Sequence, residues 1–141
     1  MRMCKFYCNF AHKLDEIMAI EFKSEDLHRA HEWIAQAKHI VITTHMAPDG
    51  DAMGSSLALW HWISNIKFQI STIQSVHVIV PNAFPAFFNW MPGSAQILIY
   101  EKEAQRCDAL IAATDLFICT DFNDHNRIGP MGEKMLANPC P

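Results

Sequence analysis

Short unbroken apolar runs alternate along this chain with stretches of helical period, and that alternation predicts the fold. Ser24 is placed to cap a helix, with Glu25 and Asp26 in the first turn, where carboxylates favour the dipole. Leu27, Ala30, Ile34 and Ala37 then recur on one face, which predicts a helix over about 24–37, with His28 and His31 as surface or packing residues rather than ligands. His39–Thr44 is apolar on consecutive positions, as expected of a strand buried on both faces of a parallel sheet. A loop over 45–53 leads to a helix from about Gly54 to Asn65, apolar nearly all round and so expected to be buried. Val76–Val80 predicts a second strand, stopped by Pro81. Residues 81–95 read as loop with a short helical turn, and their aromatics (Phe84, Phe87, Phe88, Trp90) are expected to pack rather than to form a base-stacking platform. Ile97–Tyr100 predicts a short strand, 101–113 a helix with Ala104, Cys107 and Ile111 inward, and Leu116–Thr120 a last strand running into Asp121. The stretch 130–141, with three prolines, predicts no closing element.

Strands alternating with helices imply an α/β fold built on a parallel sheet. At 141 residues, half of them hydrophobic, the chain makes at most one domain with a real core. The net charge of −4 gives no basic footprint for long nucleic acid. Five cysteines (Cys4, Cys8, Cys107, Cys119, Cys140) lack a C-x-x-C pair; Cys107 and Cys119 read as buried thiols, and Cys4 with Cys8 makes too few ligands for zinc. This usage suits a reducing cytoplasm. Nothing is apolar for long enough to span a membrane, and residues 1–23 read as an irregular leader rather than a signal peptide.

The chemistry concentrates in the loop His45-Met46-Ala47-Pro48-Asp49-Gly50-Asp51-Ala52-Met53-Gly54-Ser55. Asp-x-Asp alone is ordinary turn chemistry. His45 ahead of it, a strand before and a helix after make a metal site the better reading, and the imidazole–carboxylate mixture suits Mn²⁺, Mg²⁺ or Zn²⁺. Ligands of parallel sheets bind at the carboxyl ends of strands, where Asp121 also falls, so His45, Asp49, Asp51 and Asp121 would converge if their strands are neighbours. Carboxylates so crowded repel unless a cation lies between them. Two divalent ions about 4 Å apart would clamp a phosphoryl group, with Gly54 and Ser55 offering helix N–H groups to a phosphate oxygen. Competing motifs fail. An EF-hand from Asp49 would meet Met53 and Trp60 where ligands belong, and neither a Gly-Lys-Ser/Thr P-loop nor G-x-G-x-x-G is present. An aspartyl-nucleophile phosphatase would put Asp-x-Asp directly at the strand end, where His45 stands.

The string His45-x-x-Pro48-Asp49-Gly50-Asp51-Ala52-x-Gly54-Ser55 closely resembles the first motif of the DHH phosphoesterases, the superfamily of RecJ-like exonucleases. Asp121-Phe122-Asn123-x-x-x-Arg127-Ile128-Gly129 resembles the second motif. The nearest branch is the bifunctional oligoribonuclease and 3′-phosphoadenosine-5′-phosphate phosphatase type. The resemblance implies a parallel-sheet sandwich with two Mn²⁺ ions, or Mg²⁺ in their place. His45 and Asp49 would hold the first, Asp51 the second, and Asp121 would bridge them, making Asp49, Asp51 and Asp121 the catalytic carboxylates. Asn123 and Arg127 would brace their loop or meet phosphate. The implied reaction is metal-assisted attack of water on a phosphodiester or phosphomonoester, releasing mononucleotides from very short RNA. The complete enzyme would be free to form a homodimer.

The Asp-His-His motif that names the family is absent: Asp124-His125 is followed by Asn126 and stands too close to the second motif. The fourth-motif aspartate and the substrate-binding domain are missing too. Residues 24–141 are therefore expected to be the N-terminal part of such a catalytic domain, truncated after about four strands and weak or inactive in isolation. Two other readings stand: a non-catalytic metal- or nucleotide-binding module, or the same family acting on polyphosphate or cyclic dinucleotides.

Overall fold

The computed structural model describes residues 24–140. Residues 1–23, with Cys4, Cys8 and the expected leader, lie outside the described part. Helix α1 (Ser24–Gln36) precedes β1 (His39–Thr43), α2 (Gly50–Ile66), β2 (Ser75–Val80), β3 (Leu98–Ile99), α3 (Tyr100–Ala113), β4 (Leu116–Cys119) and α4 (Pro130–Ala137). Short 3-10 turns fall at Ala86–Phe88, Ser94–Gln96 and His125–Ile128.

The four strands form one parallel sheet in the order β3-β2-β1-β4, with Val41 of β1 level with His77 of β2 and Phe117 of β4. Period-two alternation splits their apolar residues between two cores. Ile40, Ile42, Val78, Val80 and Ile118 face Met53, Leu57 and Ile63 of α2, with Ile34 of α1. Val41, Ile79, Leu98 and Phe117 face Cys107 and Ile111 of α3 and Met131 of α4. Right-handed crossovers explain the two layers. The chain steps one way across the sheet from β1 to β2 and the opposite way from β3 to β4, so α2 and α3 must cover opposite faces. The sheet is the expected α/β sandwich.

Asp115 fastens β4 to β1 at their starts. Its carboxylate accepts from the backbone N–H of Lys38 at 3.0 Å and of His39 at 2.9 Å, while its own N–H donates to His39 O.

Local departures from the sequence reading have local causes. Helix α2 opens at Gly50, not Gly54, because Asp49 caps it. Its outer side is not buried: Trp62 is exposed, while Trp60 turns inward and donates from Nε1 to Val76 O at 3.2 Å. Leu27 lies on the solvent side of α1. Ala104 is exposed as well, because non-helical Glu103 (φ −132°, ψ 38°) kinks α3 and rotates the face that continues to Cys107 and Ile111. Tyr100 belongs to that helix, leaving β3 two residues long. Phe84 and Phe88 pack against the core, whereas Phe87 and Trp90 do not. The stretch after Gly129 does close the fold, since Pro130 sits at the first position of α4, where a missing N–H costs nothing. Cys107 and Cys119 are buried, as expected, and burial pushes the Cys107 thiol up.

Candidate metal centre

The sheet order reverses between β1 and β4, and the crevice at such a switch is where parallel sheets bind ligands. β1 delivers Thr43, Thr44 and then His45 there, and β4 delivers Thr120 and Asp121. Thr120 N–H extends the pairing by donating to Thr43 O at 2.9 Å, and its Oγ1 lies 2.8 Å from Ser56 Oγ of α2. That buried contact ties the helix to both strand ends just beneath the site. Asp121 then turns off the strand with φ 60°, a left-handed conformation that Asp and Asn tolerate better than most residues.

The loop after β1 is shaped by a second left-handed residue, Ala47 (φ 52°), whose N–H donates to Asn82 Oδ1 at 2.7 Å. Asn82 stands just past the end of β2, the other neighbour of β1. Its turn aims Pro48 and Asp49 back across the sheet edge. Asp49 then caps α2: Oδ1 accepts from the N–H groups of Asp51 and Ala52, both at 3.1 Å. The cap occupies one carboxylate oxygen and leaves the other for a ligand.

The result is a cluster. His45, Asp49 and Asp121 each offer a donor atom, and all three lie within 4.8 Å of one another. His45 is buried, Asp121 half-buried and Asp49 exposed, so the cluster opens to solvent on the Asp49 side. The ring of His45 is fixed in orientation. Nδ1 stands 2.8 Å from Met46 O, which can only accept, so Nδ1 carries the proton. In the neutral ring Nε2 then presents a lone pair 3.3 Å from Asp121 Oδ2. Two acceptors at that distance attract only with a proton or a cation between them. An imidazole with its second nitrogen held by a carbonyl, beside two carboxylates, is the donor set divalent metals take. The residues fit a metal ion.

Asp51 lies outside this group, exposed on the first turn of α2. Gly54 and Ser55 do not open the helix as expected. They lie one turn inside it, and Ser55 Oγ is spent on Asp51 O at 2.8 Å. The first-turn N–H groups of Asp51 and Ala52 are taken by Asp49. The second motif forms the facing wall. Asp124 caps the 3-10 turn by accepting from Asn126 N–H at 2.8 Å, and Arg127 O accepts from Met46 N–H at 2.7 Å. Arg127 therefore braces the metal loop through its backbone, with its side chain exposed. Gly129 (φ 57°, ψ −144°) permits that contact, because a side chain there would begin 3.1 Å from Met46 Sδ. Asn123 is exposed and borders a cleft of about 130 Å³ beside α4, among Phe117, Phe122 and Met135.

Asn82 is the residue the sequence reading missed. An Asn after Pro81 looks like turn chemistry, and only the β2-β1 adjacency gives it a role.

Residues 39–137 match the sequence model of the DHH family, N-terminal domain. Among solved structures, the crystal structure of an exopolyphosphatase-related protein from Bacteroides fragilis superposes with a TM-score of 0.74 at 42% identity. The match covers 81% of this chain and 32% of that one, so the chain spans about a third of that protein's length. No curated protein matches the chain.

Proposed function

The chain belongs to the DHH family, and from that premise we propose that it carries the metal-binding part of a phosphoester hydrolase acting on short oligoribonucleotides or on 3′-phosphoadenosine-5′-phosphate. One observation carries the reading: three donors from two neighbouring strand ends and a helix cap meet within 4.8 Å at the switch point of the sheet. A divalent ion held there supplies charge neutralisation for an anionic substrate and lowers the pKa of water. His45, Asp49 and Asp121 hold the first ion, in our reading Mn²⁺, with Mg²⁺ the alternative. Asp121 is the residue poised to share a second ion with Asp51, which stands on the exposed side.

The protein's own residues do the positioning. Met46 O holds the ring of His45 by its Nδ1 proton and aims Nε2 at Asp121, the cap on α2 fixes Asp49, and Asn82 with Arg127 O holds the loop between them. The described donors gather around one ion and leave Asp51 apart for a second, so the 141-residue chain should turn over slowly or not at all by itself.

A second reading, hydrolysis of polyphosphate, is favoured by the description of the Bacteroides fragilis neighbour as exopolyphosphatase-related. The test is product release from a diadenylate, from 3′-phosphoadenosine-5′-phosphate and from tripolyphosphate, with and without Mn²⁺. Slow, Mn²⁺-dependent release lost in Asp121→Asn is expected. Release indifferent to chelator or to that substitution would contradict the proposal.

A further inference from the structure

The aromatic residues between β2 and β3 divide into two kinds. Phe84 and Phe88 pack against the core, whereas Phe87 and Trp90 are 68% and 74% exposed. The 3-10 turn Ala86–Phe88 holds Phe87 against Phe88, with ring centroids 4.2 Å apart and planes at 53°. Phe88 lies in turn on the start of α2, its Cε1 3.5 Å from where a side chain on Gly50 would begin. Gly50 directly follows Asp49. Phe87 is thus tied, through the Phe88 ring, to the residue that follows Asp49. Further on, Met91 Cε comes within 3.9 Å of the corresponding point on Gly54, so the loop that carries Trp90 follows the first turns of α2.

Burying these rings under a protein partner would be costly. Asp49 and Asp51 flank Gly50, on which Phe88 lies, and both are exposed, so an apolar cover reaching them would strip their water and return no partner. A small ligand that joins a phosphoryl group to a flat ring meets both halves at once. Its phosphate lies toward the cation and its ring toward Phe87, and bases of any sequence stack on an aromatic face.

We infer that Phe87, with Trp90 beyond it, is the base-stacking surface of this site and selects a nucleobase-bearing substrate over a bare phosphate chain. The inference rests on the metal-site reading above. Its probes are adenosine 5′-monophosphate and ribose 5-phosphate, which differ only in the base, bound at equilibrium to the Mn²⁺-loaded chain and to Phe87→Ala, Phe87→Tyr and Trp90→Ala. Mn²⁺ affinity is measured first for each protein. Absence of saturable Mn²⁺ binding by the unmodified chain would overturn the metal-site reading and this inference with it. With Mn²⁺ binding intact, Phe87→Ala should weaken the adenylate about tenfold or more and leave ribose 5-phosphate unchanged. Phe87→Tyr should restore the adenylate affinity, and Trp90→Ala should weaken it by less than Phe87→Ala. Equal affinity of the unmodified chain for the two probes, or adenylate binding indifferent to Phe87→Ala, would overturn this inference alone.

Discussion

Asp49 does two jobs with two oxygens, and they can be separated. Asn at this position keeps a side-chain acceptor for the cap but loses the charge a cation needs, whereas Ala loses both. Asp49→Asn should leave the unfolding midpoint nearly unchanged while weakening Mn²⁺ binding. Asp49→Ala should weaken binding and also remove about 0.5–2 kcal/mol of stability, read by chemical denaturation. A Mn²⁺ affinity unchanged in both variants would remove Asp49 from the ligand set. His77 offers a second residue-scale test, far from that cluster in sequence. Burial, then the charges of Arg106, His39 and Lys67, lower its pKa below 6.5. The folded chain therefore holds fewer protons here than the unfolded one. Its contribution is complete above pH 6.5 and is lost as pH falls through the lower folded value. Denaturation at pH 5 and pH 7.5 should show a steeper acid loss for the unmodified chain than for His77→Gln. The members of the candidate cluster were legible at this scale because their chemistry is local, with His45 and Asp121 each following an apolar run. Asn82 was not, because its partner Ala47 lies 35 residues away and is brought near only by strand order.

At the scale of elements, the pattern marked every strand and the starts of α1 and α3, but misplaced the start of α2 and gave no α4. Gly50 and Asp51 looked like loop because glycine and aspartate favour turns. The side chain of Asp49 converts that turn into the first turn of α2, and this shift takes Gly54 and Ser55 away from the helix end where a phosphate would find free N–H groups. Helix α4 was hidden by its prolines, although Pro130 starts it rather than breaking it. The kink at Glu103 left no signal in the periodicity, so Ala104 was assigned to the wrong side. Gly132 is where α4 meets the turn that braces the metal loop. A side chain there would begin 2.5 Å from His125 O, closer than the backbone can accept. Gly132→Ala should push α4 off the 3-10 turn, costing about 1–3 kcal/mol of stability. Because Arg127 O belongs to that turn, Mn²⁺ affinity should fall with it. A stable variant with full Mn²⁺ affinity would show that α4 plays no part in shaping the site.

For the whole molecule, the architecture was the most legible feature, because runs apolar on consecutive positions can be satisfied only by a sheet covered on both faces. Strand order was not legible, yet it does most to make the site: it sets β1 beside both β4 and β2, and so brings Asp121 to His45 and Asn82 to the loop that follows His45. Among the described residues no helix is long and apolar enough to cross a membrane. In the proposed function this crevice holds a divalent ion through His45, Asp49 and Asp121. Calorimetric titration of Mn²⁺ into the chain, into Asp121→Asn and into Asp51→Asn tests it most directly, since Asn tolerates the left-handed backbone at position 121 and isolates the lost charge. The account predicts saturable binding of one ion per chain, weakened at least about tenfold by Asp121→Asn and little changed by Asp51→Asn. No saturable binding, or binding indifferent to Asp121→Asn, would contradict it.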